Sequence, residues 1–387
     1  MQHFSKLAAC LIATLCTALA SAQSPSMEKA AAPTTTTSAY VYVITNPNSN
    51  SSELDGYSAS SNGTLTRLPG SPFWTSNNAY VTGLANTAHW LFVSDGTYIY
   101  SFSISSTGTL KQVSSVNAAQ YSTNDPITAG LYLVLDHTGS TLYALGTDGA
   151  GNNVFQFFDK NSATGALTYF GSTNQDIGYG NIAFTANNEY AYGFGCFQDE
   201  TFSSSFVRSS DGTLTQFFPN EPIPNYPNGE YCLSGAAADP TGDLAVAMFP
   251  GTYTGPPAPP AALGVYTVDS SGNLSTNSTY ENMPTTEVGW INENGLLASP
   301  AGNLLAVAGT SGLQIFFFNG NKQITPYTGF LAEHSMTQIA WDNHNHLYGI
   351  SFSGRLYSFT VTTTGYHQDP GSPYTVNMPR AMTVLSK

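Results

Sequence analysis

Residues 63–73 read GTLTRLPGSPF, and residues 365–374 read GYHQDPGSPY. A hairpin signal followed by Pro-Gly-Ser-Pro and an aromatic ring is thus written twice, about three hundred residues apart. The first half of the phrase belongs to a longer series. GTL or a close variant stands at 63–65, 108–110, 165–167, 212–214 and 272–274, with weaker copies at 320–324 (GNKQI) and 365–367 (GYH). Successive glycines of the series fall 45 to 60 residues apart. Each follows an alternating apolar run such as IYSFSISSTG or LGVYTVDSSG. Period-two alternation buries one face of a strand, and the Ser/Asp/Asn-Gly that follows makes a tight hairpin.

A second series lies upstream of each run and includes LVLDHTGSTLYAL, AAADPTGDLAVA, LASPAGNLLAVA and IAWDNHNHLYGI. Each is a small-residue strand, a turn of Asp, Asn, Pro or Gly, and a second strand. Four strands per 45–60 residues is the period of a propeller blade. Seven hairpins predict an all-β fold, a seven-bladed β-propeller of four-stranded antiparallel blades over residues 39–387. The ends carry the remaining topology. AYVYVITN (39–46) reads as a second strand without a first, and RAMTVLS (380–386) as a first strand without a second. The C-terminal strand is therefore expected to complete the N-terminal blade, which shuts the ring and removes an exposed edge. PGSP[FY] then reads as the rigid crossing from the outer strand of one blade to the inner strand of the next, with Phe73 or Tyr374 wedged between blades.

This pattern of strand, turn, GTL and PGSPF resembles the lactonase-type (6-phosphogluconolactonase-like) seven-bladed propeller family. It is also similar to the YVTN-type propeller repeats of exported bacterial proteins. The resemblance covers residues 39–387 and rests on structural motifs. It implies a family that holds sugar-lactone hydrolases and muconate-cyclising enzymes. No local motif anchors that family's catalytic residues in this chain.

Composition agrees with strands and turns. Charged residues are 9% of the chain and aromatics 13%, and a length of 387 residues exceeds one ordinary compact core unless the core is built from repeats. Residues 1–22 read as an export signal: Lys6, the apolar run LAACLIATLCTALA, and Ala20-Ser21-Ala22 before a cleavage point at Gln23. That run is too short to span a bilayer, which needs about 20 residues. Residues 23–38 lack an apolar period and read as a flexible linker. PGTYTGPPAPPAALG (250–264) reads as a Pro-rich loop inserted between two strands of one blade. Without the leader, 9 bases face 24 acids. Nothing in such a chain neutralises phosphates, so nucleic acid and anionic membrane surfaces are disfavoured as partners. The expected address is the periplasm or the outside medium, and the expected state a monomer. An even pair of cysteines in an exported chain, Cys196 and Cys232, points to one disulfide.

Common catalytic signatures are absent. There is no G-x-S-x-G, H-E-x-x-H, C-x-x-C or phosphate-binding glycine loop. WDNHNH (341–346) offers Asp342, His344 and His346, but it aligns with the turns ADPTGD and SPAGN and reads as a polar turn. In a propeller, the loops before the inner strands gather at the mouth of the central channel. Those loops hold Asp125, Asp176, Tyr179, Glu230, Tyr231, Trp290 and Glu293 as candidate ligand-binding residues, with Trp74 among them. Glu333, His334 and Arg380 are the candidate catalytic set: His334 or a carboxylate to activate water, and Arg380 to steady an oxyanion. Solvated loop residues that never meet are the competing reading. Arg67, Lys111, Lys160, Arg208 and Lys322 fall near the outer hairpins, so Arg380 stands alone near the centre and a phosphorylated sugar lactone is disfavoured. Two function classes follow. One is an extracytoplasmic binding or interaction scaffold for a small molecule or saccharide. The other is a hydrolase of an unphosphorylated lactone or ester. No cofactor is implied, and no metal site is assigned; calcium held by the same mouth acids is a weaker third reading.

Overall fold

The computed structural model describes residues 36–78, 81, 83–121, 131–175, 182–197, 200–227, 229–253 and 260–387. Its strands form seven antiparallel sheets. Blade 1 is Gly83–Asn86, Trp90–Ser94, Tyr98–Ile104 and Leu110–Asn117. Blade 2 is Tyr132–Leu135, Thr141–Thr147, Asn153–Lys160 and Leu167–Gln175, and blade 3 is Ala183–Phe184, Tyr190–Phe197, Glu200–Arg208 and Leu214–Phe217. Blade 4 is Gly229–Ala238, Leu244–Tyr253, Ala262–Val268 and Leu274–Ser275, with Asn225–Tyr226 added inside. Blade 5 is Ile291–Ala298, Leu304–Gly309, Leu313–Phe317 and Thr325–Pro326. Blade 6 is Gln338–Trp341, His346–Ser351, Arg355–Thr362 and Gly365–Gln368. Among the described residues the only helical element is the 3-10 turn Ala118–Tyr121, and no helix is long and apolar enough to cross a membrane.

Blade 7 joins the two ends of the propeller. Its inner strand is Pro379–Ser386, paired with Thr37–Asn48, which pairs in turn with Ser51–Ser60 and then Leu65–Arg67. The register runs Ala39↔Ser386, Val41↔Val384, Val43↔Met382 and Ile44↔Ala381. The ordered strand starts at Thr37, two residues before the boundary expected from sequence. Val41, Val43 and Ile44 are fully buried, and removing their cover would cost about 1.5–3 kcal/mol for each large side chain.

Apolar packing lies between the blades. Seven buried clusters occur among the described residues, one at each seam. At the seam of blades 4 and 5, for example, Ala245 and Ala247 face Val288, Leu305 and Val307. The small alanines let neighbouring sheets approach closely near the axis.

The repeated hairpin has a specific task at these seams. The Tyr42 hydroxyl of blade 7 donates to the Gly108 carbonyl of blade 1 (2.8 Å), Tyr143 of blade 2 to Gly212 of blade 3 (2.7 Å), and Tyr192 of blade 3 to Gly272 of blade 4 (2.7 Å). Ser358 of blade 6 reaches Gly63 of blade 7 (3.0 Å). Each hairpin is thus held by the blade before it. These glycines have positive φ, and a Cβ at Gly108 or Gly272 would meet the Tyr40 or Tyr190 ring at 2.5 Å. The copy at Gly365 differs. It has no positive φ, and a Cβ there meets nothing within 4 Å.

Both PGSP phrases contain a cis Ser-Pro bond, at Ser71-Pro72 and Ser372-Pro373. The serine hydroxyl of each accepts a third-strand amide: Gly56 N to Ser71 (2.9 Å) and Ser358 N to Ser372 (2.9 Å). The crossing then pairs briefly with that third strand, through Trp74–Ser76 and Tyr374–Thr375, before turning inward. Tyr374 bridges two blades: it accepts from Leu65 N and donates to the Pro370 carbonyl, both at 2.8 Å.

Two outcomes check this architecture. Deleting residues 380–387 is expected to abolish the cooperative thermal transition, measured by calorimetry; an untouched transition would reject the closure. Gly272→Ala should lose about 2–4 kcal/mol in denaturant melts, from left-handed backbone strain and overpacking, while Gly365→Ala stays within about 0.5 kcal/mol.

Candidate functional site

Each inner strand starts at one face of the ring and each second strand returns to it. That face therefore gathers the loops before the inner strands and the turns between second and third strands. Asp125, Asp176 and Tyr179 lie outside the described residues, as does the Glu293 side chain. Glu230 opens the inner strand of blade 4 and is exposed. Tyr231, next along that strand, points the other way. It is 3% exposed, packs edge-on against Tyr226 with ring centroids 5.1 Å apart, and has its pKa pushed up to about 12 by burial. Tyr231 is therefore a seam residue, just past a register shift between Gly229 and Tyr231.

Trp290 presents apolar surface at this face. It is 49% exposed and stacks on Phe249 with centroids 4.3 Å apart and planes 19° from parallel. Its backbone is fixed by a bond from Trp290 N to Thr310 Oγ1 (3.1 Å). Phe249 pairs in register with Cys232, and a disulfide joins Cys232 to Cys196 across the seam of blades 3 and 4. A covalent tie thus stands beside the ring that supports Trp290. A second aromatic group, Trp74, Tyr100 and Tyr98, has neighbouring centroids 5.2 and 6.0 Å apart, and Tyr100 donates to Asp95 Oδ2 (2.8 Å).

The expected catalytic trio shows no direct bonds. Glu333 and His334 are exposed, and among the described residues no hydrogen bond or ion pair joins them to each other or to Arg380. Arg380 instead lies over Phe352, 5.3 Å from the ring centroid. Phe352 sits in the turn between the second and third strands of blade 6 and is 54% exposed. Reading only the loops before inner strands missed Phe249, Tyr98 and Phe352. Their signal was positional, since the other set of turns reaches the same face.

The remaining charged groups are spent elsewhere. Arg208 is buried against Asp136 of blade 2, and its Nε donates to Tyr143 (3.2 Å), so it is a seam cation rather than a rim one. Arg67 pairs with Asp55 at 2.5 Å. WDNHNH forms the far-face turn of blade 6. Asp342 accepts from His344 N (2.8 Å), His346 N (2.9 Å) and the Tyr348 hydroxyl (3.1 Å), and its Oδ2 lies 2.7 Å from His346 Nδ1. These are the bonds of a self-capped turn. Among the described residues no group of three or more His, Cys, Asp or Glu side chains is arranged to hold a metal. Clefts of about 250, 260 and 280 Å³ lie on the outer rim and the far face, at seams 4–5, 5–6 and 3–4, away from Trp290 and Arg380.

No family model matches the chain. No curated protein matches it either. Solved structures do. A candidate 6-phosphogluconolactonase from Bacteroides fragilis superposes with a TM-score of 0.63 at 13% identity, over 92% of this chain and 100% of the other. The periplasmic gluconolactonase PpgL of Pseudomonas aeruginosa gives 0.61 at 13% identity, over 90% and 99%. A Lactobacillus plantarum protein gives 0.61 at 12% identity, over 91% and 100%. At such identities the likeness shows a shared fold, the seven-bladed β-propeller.

The blade 6–7 seam should respond to pH. Burial alone would lower the His346 pKa, but the bond and charge of Asp342, the charge of Asp369 and the Ser61 backbone outweigh it and raise it. Burial would likewise raise Asp342, yet its bonds from His346 hold it low. A raised histidine stabilises fully below its unfolded value of about 6.5 and loses that contribution as pH rises through the folded value. A lowered aspartate stabilises fully above about 3.9 and loses it as pH falls through the folded value. The Tm gap between wild type and His346→Gln is therefore expected to be widest between about pH 4 and 6.5. A gap constant across pH would show that the ion pair contributes nothing.

Proposed function

We propose that this chain is an exported ligand-binding propeller, working in the periplasm or outside the cell, whose site is the channel mouth and whose ligand is a saccharide. The supporting observation is Trp290, half exposed and stacked on Phe249 beside the 196–232 disulfide. A half-exposed indole held by stacking on a second ring suits the apolar face of a sugar ring. A leader at residues 1–22 and a disulfide both fit an oxidising compartment. Among the described residues, Glu333 and His334 have no bonded partner of the kind that orients a general base, which favours binding over turnover.

The second reading is hydrolysis of an unphosphorylated lactone. It is favoured by the names of two fold neighbours and by an exposed histidine and glutamate in one mouth loop. A phosphorylated substrate fits poorly, because Arg67 and Arg208 are tied to Asp55 and Asp136.

Trp290→Ala is expected to weaken saccharide binding roughly tenfold or more without moving Tm, read by calorimetry over a panel of neutral and acidic oligosaccharides. The same protein should show no turnover of unphosphorylated lactones. Turnover that falls in His334→Ala would replace this reading with the hydrolase.

A further inference from the structure

Arg380 is unlike Arg67 and Arg208, which pair with Asp55 and Asp136. Its Nε is buried with no hydrogen-bond partner, and no acid pairs with it among the described residues. A buried N–H on a charged group without an acceptor is costly, so such an orphan in a well-packed seam needs a reason. Its other contact is the Phe352 ring at 5.3 Å, which an arginine gains without neutralising its charge. Phe352 leaves 54% of its surface to solvent beside that cation. The approach to Arg380 is also strained: Met378, two residues upstream, holds φ +34° and is 47% exposed. Non-glycine residues at positive φ concentrate where function over-determines the backbone.

We infer that Arg380 and Phe352 form a subsite for the carboxylate of an acidic sugar, a uronic-acid-type ligand. The planar guanidinium fork matches the two oxygens of a carboxylate, and the exposed part of Phe352 supplies the apolar surface for the ring that carries it. A phosphate calls for several donors or cations, and of the other arginines Arg67 and Arg208 are tied to Asp55 and Asp136 while Arg355 donates to Thr375. A neutral sugar leaves the cation without a counter-charge. The inference rests on the mouth being the binding site, and it adds the charge of the ligand.

The test compares trigalacturonic acid with its methyl ester by calorimetry on the full chain. Wild type is expected to bind the acid at least about tenfold tighter than the ester. Arg380→Met, which keeps the stem over Phe352 and removes the charge, should erase that preference by weakening binding of the acid, and melt at or above the wild-type temperature. Should that variant lose its transition, Arg380→Lys serves instead, with the preference reduced because the fork is lost. Equal binding of acid and ester by wild type, or a preference that survives Arg380→Met, overturns the inference. In that case ester binding that still depends on Trp290 leaves the mouth reading standing. Binding of neither probe by wild type removes both.

Discussion

Pairing of Pro379–Ser386 with Thr37–Asn48 is the constraint on which the rest of the structure depends. Without it the innermost strand of blade 7 would be missing, and Val41, Val43 and Ile44 would lose their cover. Every other sheet forms from one continuous stretch of chain. The seventh depends on two segments more than three hundred residues apart. Blade 7 then supplies both the wall against which blade 1 packs and the wall against which blade 6 packs, through two separate buried clusters. A propeller has no central core to compensate for a weak blade, so the ring is only as strong as this junction.

The GTL hairpins spread that dependence around the circle. A tyrosine or serine hydroxyl from each of four blades binds the glycine carbonyl of the next, and at the blade 2 hairpin Trp90 packs on Gly165 while its indole N–H donates to the Ser162 carbonyl (3.2 Å). Here the fold was legible in the sequence. Hairpin glycines, alternating runs and the unmatched strands at 39–46 and 380–386 are local signals, and together they give blade number and closure. Gly365 was not distinguishable from the others, because its lack of a docking partner depends on the neighbouring blade, and sequence period carries no information about that distance. The PGSP phrase was legible as a crossing. Its serine bond back to the third strand was not, since that bond depends on cis geometry set by tertiary packing.

The candidate site was legible as a face and poorly legible as a set of residues. Placing the mouth needed only strand direction. Choosing its residues needed side-chain orientation, and there adjacent positions diverged: Glu230 points outward and Tyr231 into a seam. Arg208 was read as a rim charge because it precedes a hairpin, but it turns inward to Asp136 of the preceding blade. Phe249 and Phe352 were missed because both belong to strands or turns read as purely structural.

Arg208 and Arg380 together show how the chain separates structure from function. Arg208 has a side chain 8% exposed, a buried carboxylate partner, a tyrosine hydroxyl and the Ser209 carbonyl. Its charge is fully answered by its own protein, as a buried cation must be if its only role is to hold a seam. Arg380 has a ring face and an Nε with nothing to bind. Arg208 is buried beside a far-face hairpin, whereas Arg380 is half-buried at the start of an inner strand. In a chain this poor in basic residues, a cation left without an acceptor in a tight seam is a cost with no structural return. An acceptor that arrives from outside would answer such a group, which is the reading proposed for Arg380, whereas the turns of the opposite face satisfy their own polar groups.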